Sequence, residues 1–244
     1  MVSARLGVGT LIGAFALTAW VLTVLNIGLM MGTPSLPIDI ATLLIFVSAW
    51  TVGMVAMMFP TAMPMLMMLL HVGRTSKPDV KAGGGPNAAS AVTFVGTYLG
   101  IWVATGAGFF VGAAILFGLL PLSATVFIAT PVGIGLALLV VAAYQLSPVK
   151  GECLFRCHPT SFLFKYYRGG IKGSVRMGYE YAKYCVGCCW VMMVFLLVSA
   201  SMGLVWMAGF AAVIFAERTL PLNKWVPRLF GLGFLAAGSV LILT

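Results

Sequence analysis

Residues 184–219 read YCVGCCWVMMVFLLVSASMGLVWMAGFAAVIFAERT, an apolar segment with no charged side chain before Glu217. At about 1.5 Å per residue, one helix of this length would overshoot the roughly 30 Å hydrocarbon core of a bilayer. We therefore predict two membrane helices that turn near residues 199–203. Such a hairpin is typical of an integral membrane protein, and this decides the fold class.

The composition extends this interpretation to the whole chain. Hydrophobic residues make up 61% of the sequence and charged residues only 8%, against about 25% charged in a typical soluble protein. Further apolar segments long enough to span a membrane cover residues 6–31, 38–70, 91–120, 125–146 and 228–244. We predict an all-α polytopic transmembrane bundle of about seven spans, forming one integral membrane domain over residues 1–244.

The basic residues predict the orientation. If the N-terminus is cytoplasmic, all 14 Lys and Arg fall on one side of the membrane, and the opposite turns carry only Asp39. This is the asymmetry of the positive-inside rule. The net charge of +9 therefore marks a membrane face in contact with the lipid bilayer and is no sign of nucleic-acid binding. We expect a multi-pass protein of the cytoplasmic (inner) membrane with its N-terminus inside.

Five cysteines form two short motifs, Cys153-x3-Cys157-His158 and Cys185-x2-Cys188-Cys189. In the predicted topology both lie at the cytoplasmic face, where thiols stay reduced and disulfides are not expected. Thiolates at this spacing favour a soft metal ion, copper or zinc. The alternative is that the cysteines only pack as small apolar side chains.

In the metal interpretation, Cys153 and Cys157 form one arm of the site. Cys185 with Cys188 or Cys189 forms the other, because residues three or four apart share a helix face. We expect Cys185 to begin a helix at the membrane interface, after a cytoplasmic interfacial loop over residues 147–183 that contains the first motif. His158 and, secondarily, His71 are further candidate ligands.

The second span is rich in methionine. Residues 54–68 contain seven of the 15 methionines, and Pro60 and Pro64 interrupt the helical hydrogen bonding there. Thioethers are soft ligands that suit Cu(I), so Met54 and Met58 are secondary candidates. Methionine is also an adaptable filler of cores, and the sequence leaves both interpretations open.

The third span repeats a small residue at every fourth position. Such a ridge lets a second helix approach closely, within the bundle or from another membrane subunit. We expect partner subunits to bind here. The members of the ridge are Gly96, Gly100, Ala104, Gly108 and Gly112.

Signs of catalysis are missing from the sequence. No phosphate-binding glycine loop and no His-Glu-x2-His motif occurs, and no carboxylate lies deep in a predicted span. Two histidines without a deeply buried acid offer little for acid–base chemistry. We expect a chain that is not an enzyme alone, although it could be a subunit of one.

Three stretches resemble a known family. These are residues 50–65 (WTVGMVAMMFPTAMPM), residues 144–150 (YQLSPVK) and residues 184–190 (YCVGCCW). They resemble the family catalogued as domain of unknown function 2182, whose members are described as predicted metal-binding integral membrane proteins. The resemblance runs from about Trp50 to the end of the last span, and it implies a metal site at these cysteines.

Three functions remain open from the sequence. The first is a membrane protein that handles or delivers a soft metal, most simply Cu(I). The second is an accessory subunit of a larger membrane enzyme, for example a copper membrane oxygenase, with a structural zinc at the cysteines. The third is a transporter of a small solute.

Overall fold

The computed structural model describes residues 2–25, 39–75, 88–120, 126–128, 130–167, 170–198, 204–220 and 225–243. Within these ranges the regular structure is entirely helical, and no strand occurs in them. The helices are α1 (Val2–Leu25), α2 (Ile40–Thr75), α3 (Ala88–Leu119), α4 (Pro131–Leu146), α5 (Pro148–Cys157), α6 (Pro159–Tyr166), α7 (Gly170–Val198), α8 (Leu204–Thr219) and α9 (Trp225–Leu243). The all-α prediction is confirmed for this part of the chain.

In the described part of the chain, four helices are long and apolar enough to cross a membrane, over Ile40–Leu69, Ala89–Leu116, Gly170–Leu197 and Trp225–Leu243. The pair formed by α4 and α5 would be a fifth, bent by 63°. Each predicted span coincides with one of α1, α2, α3, α4, α7, α8 and α9. However, α8 has only 16 residues, or about 24 Å. The structure therefore supports a bundle with four or five candidate spans and does not establish seven.

Both helices predicted for the hairpin are present. α7 ends at Val198 and α8 begins at Leu204. The predicted turn at residues 199–203 lies outside the described residues.

The predicted interfacial loop over residues 147–183 is instead largely helical, and this part of the prediction was wrong. Ser147 ends α4 and caps α5, where its Oγ accepts a hydrogen bond from the backbone N–H of Lys150 at 3.3 Å. Pro148 follows at the first turn, where a missing N–H costs nothing. The chain therefore starts a new helix at an angle to α4, and Lys150 is carried into the protein interior, where it is fully buried.

α2 stays helical through both of its prolines. Pro60 has no N–H to donate to the carbonyl of Ala56, four residues earlier. Trp20 of α1 supplies the missing donor, because its Nε1 lies 3.1 Å from the oxygen of Ala56. At the start of α2, the Asp39 carboxylate accepts from the backbone N–H of Thr42 at 2.7 Å, and hydrogen bonding by Thr42 lowers the pKa of Asp39.

Glycine allows the closest helix crossings. A Cβ atom on Gly135 of α4 would lie 2.8 Å from the carbonyl oxygen of Gly238 on α9, so neither position has room for a larger residue. The ridge on α3 behaves differently. Its four glycines have no atom within 4 Å of a Cβ position among the described residues, so packing against a partner subunit stays a prediction. They are Gly96, Gly100, Gly108 and Gly112.

The buried core lies where α2, α3, α5, α6, α7 and α8 meet. It holds most of the buried methionines together with aromatic rings and four of the five cysteines. The thiols are therefore in the interior of the bundle, in the same core as the methionine-rich α2.

Candidate metal centre

Three buried cysteines converge on one arginine. The Nη2 atom of Arg218 donates to the Sγ atoms of Cys157 at 3.3 Å, Cys185 at 3.0 Å and Cys188 at 3.2 Å. All four side chains are buried. Because the three sulfur atoms share one nitrogen neighbour, they also lie close to one another, although they come from separate parts of the sequence.

Three helices bring these groups together. Cys157 is the last residue of α5, Cys185 and Cys188 lie one turn apart on the same face of α7, and Arg218 lies in the last turn of α8. Cys185 is in the interior of α7, which begins at Gly170. Our expectation that Cys185 begins a helix was therefore wrong, and the helix dipole cannot act on its thiol.

The structure separates Cys188 from its neighbour Cys189. Side chains of consecutive helical residues point about 100° apart. Both thiols donate to the carbonyl oxygen of Cys185 at 3.1 Å, and the Cys189 thiol also donates to that of Val186 at 3.7 Å. The Arg218 contacts reach Cys188 and not Cys189. Cys153 lies further out. It is half-buried on α5, and a Cβ atom on Gly187 would lie 3.3 Å from its Sγ.

The histidine and methionine candidates lie elsewhere. His158 is exposed at the junction of α5 and α6, whereas the thiols that contact Arg218 are buried. His71 belongs to α2, but its side chain lies outside the described part. Met54 and Met58 are almost completely buried and belong to the same core as the thiols, without a contact that singles them out as ligands.

Two phenols border the three thiols. The hydroxyl of Tyr98 is 3.1 Å from the Sγ of Cys185. The hydroxyl of Tyr181 accepts from Nη1 of Arg218 at 3.3 Å, and the guanidinium carbon lies 5.9 Å from the centre of the same ring. The rings of Tyr98 and Tyr181 are themselves in contact. The thiol site therefore has an aromatic wall on α3 and α7.

A buried ion pair adjoins the site. Nζ of Lys150 lies 2.9 Å from Oε2 of Glu217, and both side chains are almost completely buried. The side-chain amide of Gln145 donates to Glu217, and its oxygen accepts from Lys150. This Lys150–Gln145–Glu217 cluster ties the end of α4 and the start of α5 to the end of α8, next to Arg218. In addition, the hydroxyl of Tyr144 donates to the carbonyl of Gly187 in the second cysteine motif.

The donor set fits a soft metal. Three buried sulfur atoms within reach of one point are the kind of ligands that Cu(I) and Zn²⁺ take. Even so, in the part of the chain described here, no group of three or more His, Cys, Asp or Glu side chains is arranged as a ready metal shell. The three sulfur atoms instead share a contact with the Nη2 atom of Arg218.

The sequence did not single out Arg218 and its neighbours. Arg218 and Lys150 were counted among the bases that mark a membrane face, but both are buried. A signal was available, since Glu217 and Arg218 directly end a long apolar run. Two charged residues at the end of an apolar helix can be buried together with that helix when it packs into the core. Glu180 of α7 pairs with Lys183 of the same helix at 2.7 Å.

Comparison with known proteins points the same way. A family model described as copper chaperone, PpoB2, matches residues 47–241. The match covers nearly the same residues as the resemblance to domain of unknown function 2182. It supports a copper-related family but does not name that domain family. Neither the curated proteins nor the solved structures contain a match. Since the match spans most of the chain and includes every cysteine, the protein belongs to the copper chaperone family PpoB2.

Proposed function

We propose that this protein is an integral membrane copper chaperone that binds Cu(I) as cargo through Cys157, Cys185 and Cys188. The family match supports copper, and the apolar helices support a membrane location. The more particular steps are our own: the oxidation state, the ligand set, and the delivery of the ion to a recipient protein.

One observation carries the ligand assignment. Among the five cysteines, three have their sulfur atoms within 3.3 Å of the same Arg218 nitrogen. Sulfur atoms gathered around a cation are already placed for another cation. A move of about 1 Å would bring each sulfur to the roughly 2.3 Å of a metal–thiolate bond.

The chemistry of the site favours Cu(I) over harder ions. Thiolates select soft metals, and the surrounding side chains supply methionine sulfur and aromatic carbon and few carboxylate oxygens. Carboxylate, the usual ligand for harder ions, is represented nearby by Glu217, which is already paired with Lys150. The thiols alone would also suit zinc, but the family match names copper, and it supports neither a structural zinc in an enzyme subunit nor solute transport.

For the membrane arrangement we keep the expectation from the charges, with the N-terminus cytoplasmic. Copper in a reducing cytoplasm is Cu(I), and reduced thiols are its natural ligands there. The orientation and the ligand assignment are therefore chemically consistent with each other.

The test is metal analysis of the detergent-purified protein, loaded with Cu(I) under anaerobic and reducing conditions. We expect bound copper in the wild type and a loss of most of it when Cys157, Cys185 and Cys188 are replaced together by Ser. Ser keeps the size of the side chain and removes the soft donor. The matched control is Cys189→Ser, which changes a buried cysteine of the same helix and should keep its copper. Full copper content in the triple variant would refute the site.

A further inference from the structure

Arg218 is a buried cation without a carboxylate partner among the described residues. Its guanidinium cannot lose its proton in a protein, and a buried charge is costly unless it is paired. The nearest acid in sequence, Glu217, is engaged by Lys150 at 2.9 Å. Within the described ranges no carboxylate lies within ion-pair distance of Arg218, and its polar contacts there are the three thiols and Tyr181.

The guanidinium is also incompletely satisfied. Its Nε atom is buried and has no hydrogen-bond partner among the described residues. Leaving a buried donor without a partner is energetically costly. Arg218 therefore keeps the contacts between Nη2 and the sulfur atoms, although its Nε makes no hydrogen bond in this position.

The position of Nη2 cannot be shared with a metal ion. Nη2 lies 3.0, 3.2 and 3.3 Å from the three sulfur atoms, so a metal ion bound to all three at about 2.3 Å would lie very close to this nitrogen. Binding therefore requires Nη2 to withdraw. The rest of the guanidinium can stay beside the site, because the hydroxyl and the ring face of Tyr181 both contact it.

We propose that Arg218 is the resident counter-cation of the thiol site. Its Nη2 holds the place between Cys157, Cys185 and Cys188 when the site is empty of copper, and its charge balances the copper–thiolate centre when the ion is bound. This inference rests on the proposed function. A Cu(I) ion with two or three thiolates carries a net negative charge, and inside a protein that charge needs a nearby cation.

The test compares two substitutions that both shorten the side chain and differ in charge, Arg218→Lys and Arg218→Gln. Both keep N–H donors, so a purely geometric role would affect them alike. We expect Arg218→Gln to bind Cu(I) at least about tenfold more weakly than the wild type in competition with a Cu(I) chelator. Arg218→Lys should recover most of that loss. Arg228→Gln is the matched control, since Arg228 is exposed, and it should bind like the wild type.

A second measurement uses the unaltered protein, in case the variants do not fold. With ¹⁵N-labelled arginine, one guanidinium signal should shift when Cu(I) is added, and the signals of the exposed arginines should stay. Equal affinities of Arg218→Gln and the wild type, equal losses in the Lys and Gln variants, or no shifted guanidinium signal would each overturn the inference. Different results would contradict the proposed function: a wild-type protein that binds no copper, or a triple Cys→Ser variant that keeps its copper.

Discussion

Nη2 of Arg218 lies 3.0 Å from Sγ of Cys185, although 33 residues and the gap between two helices separate them in the chain. Contacts between guanidinium and sulfur at this distance are charge-assisted when the sulfur is a thiolate. Cys185 belongs to the predicted metal-binding motif, whereas Arg218 was counted from the sequence only among the basic residues that indicate membrane orientation. It also divides the five cysteines into three that contact the arginine and two that do not.

The first prediction concerns Cys188 and Cys189, neighbours that the sequence could not rank. Cys188→Ser should lower Cu(I) affinity by about tenfold or more, because it removes one of the three sulfur atoms beside Arg218. Cys189→Ser should leave affinity within a factor of about two, because its sulfur is not among those that contact Arg218. Chelator competition on the two purified variants measures both. The reverse ranking would show that the bound state uses a different face of α7.

The second prediction concerns the Lys150–Gln145–Glu217 cluster. Glu217→Gln should destabilise the protein by about 3 kcal/mol or more, because it leaves the Lys150 ammonium buried and unpaired. Adding Lys150→Met should restore most of that stability, since the charge is then gone. Unfolding in detergent, followed by tryptophan fluorescence, gives the comparison. A double variant as unstable as the single one would mean that the pair does more than cancel two charges.

The third prediction tests the contact between α1 and α2. Trp20→Phe should lower the free energy of unfolding by about 1–2 kcal/mol, because the buried carbonyl of Ala56 loses its hydrogen-bond donor. In a Pro60→Ala background the same substitution should cost less, since alanine at that position supplies the helical N–H that proline lacks. A double-mutant cycle on unfolding free energies isolates the effect. Additive costs would show that Trp20 stabilises the helix pair by packing alone.

The fourth prediction concerns the methionines. Replacing both Met54 and Met58 by Leu conserves volume in the core. The free energy of unfolding should therefore change by less than about 1.5 kcal/mol for each site. The copper content should stay near that of the wild type, because neither thioether is among the sulfur atoms that surround Arg218. Loss of copper with the cysteines intact would move the site towards α2.

The fifth prediction is the topology. A reporter fused after Thr244 should lie outside, and one inserted within residues 78–86 should lie inside. The physical reason is the clustering of basic residues on one face. Paired alkaline phosphatase and fluorescent protein fusions give opposite signals on the two sides. An outside location for residues 78–86 would contradict both the orientation and the reducing environment assumed for the thiols.

Much of the bundle could be predicted from local sequence. Apolar length located the helices, and the uncharged run over residues 184–216 required a break that does separate α7 from α8. Proline was predicted to interrupt the helical hydrogen bonding of α2, and Trp20 supplies a donor there. These features depend on residues close in sequence or on the length of a helix, so a pattern reveals them.

The site could be predicted only in part, because its assembly depends on tertiary packing. Spacing predicted that Cys185 and Cys188 share a face, and this is confirmed. No local pattern shows that the short α5 turns away from α4 and packs against α7, or that α8 brings a buried arginine to the thiols. Hydropathy places Lys150 and Arg218 at a surface, since it scores each charge alone and misses the partners that make burial possible.

The position of Arg218 near the end of α8 also orders the biogenesis of the protein. Ribosomes synthesise Cys157, Cys185 and Cys188 before the arginine that stands between them. Until α8 has been inserted and packed, a growing chain presents these thiols without their cation. The helix that completes the site is thus made after both helices that carry its thiols.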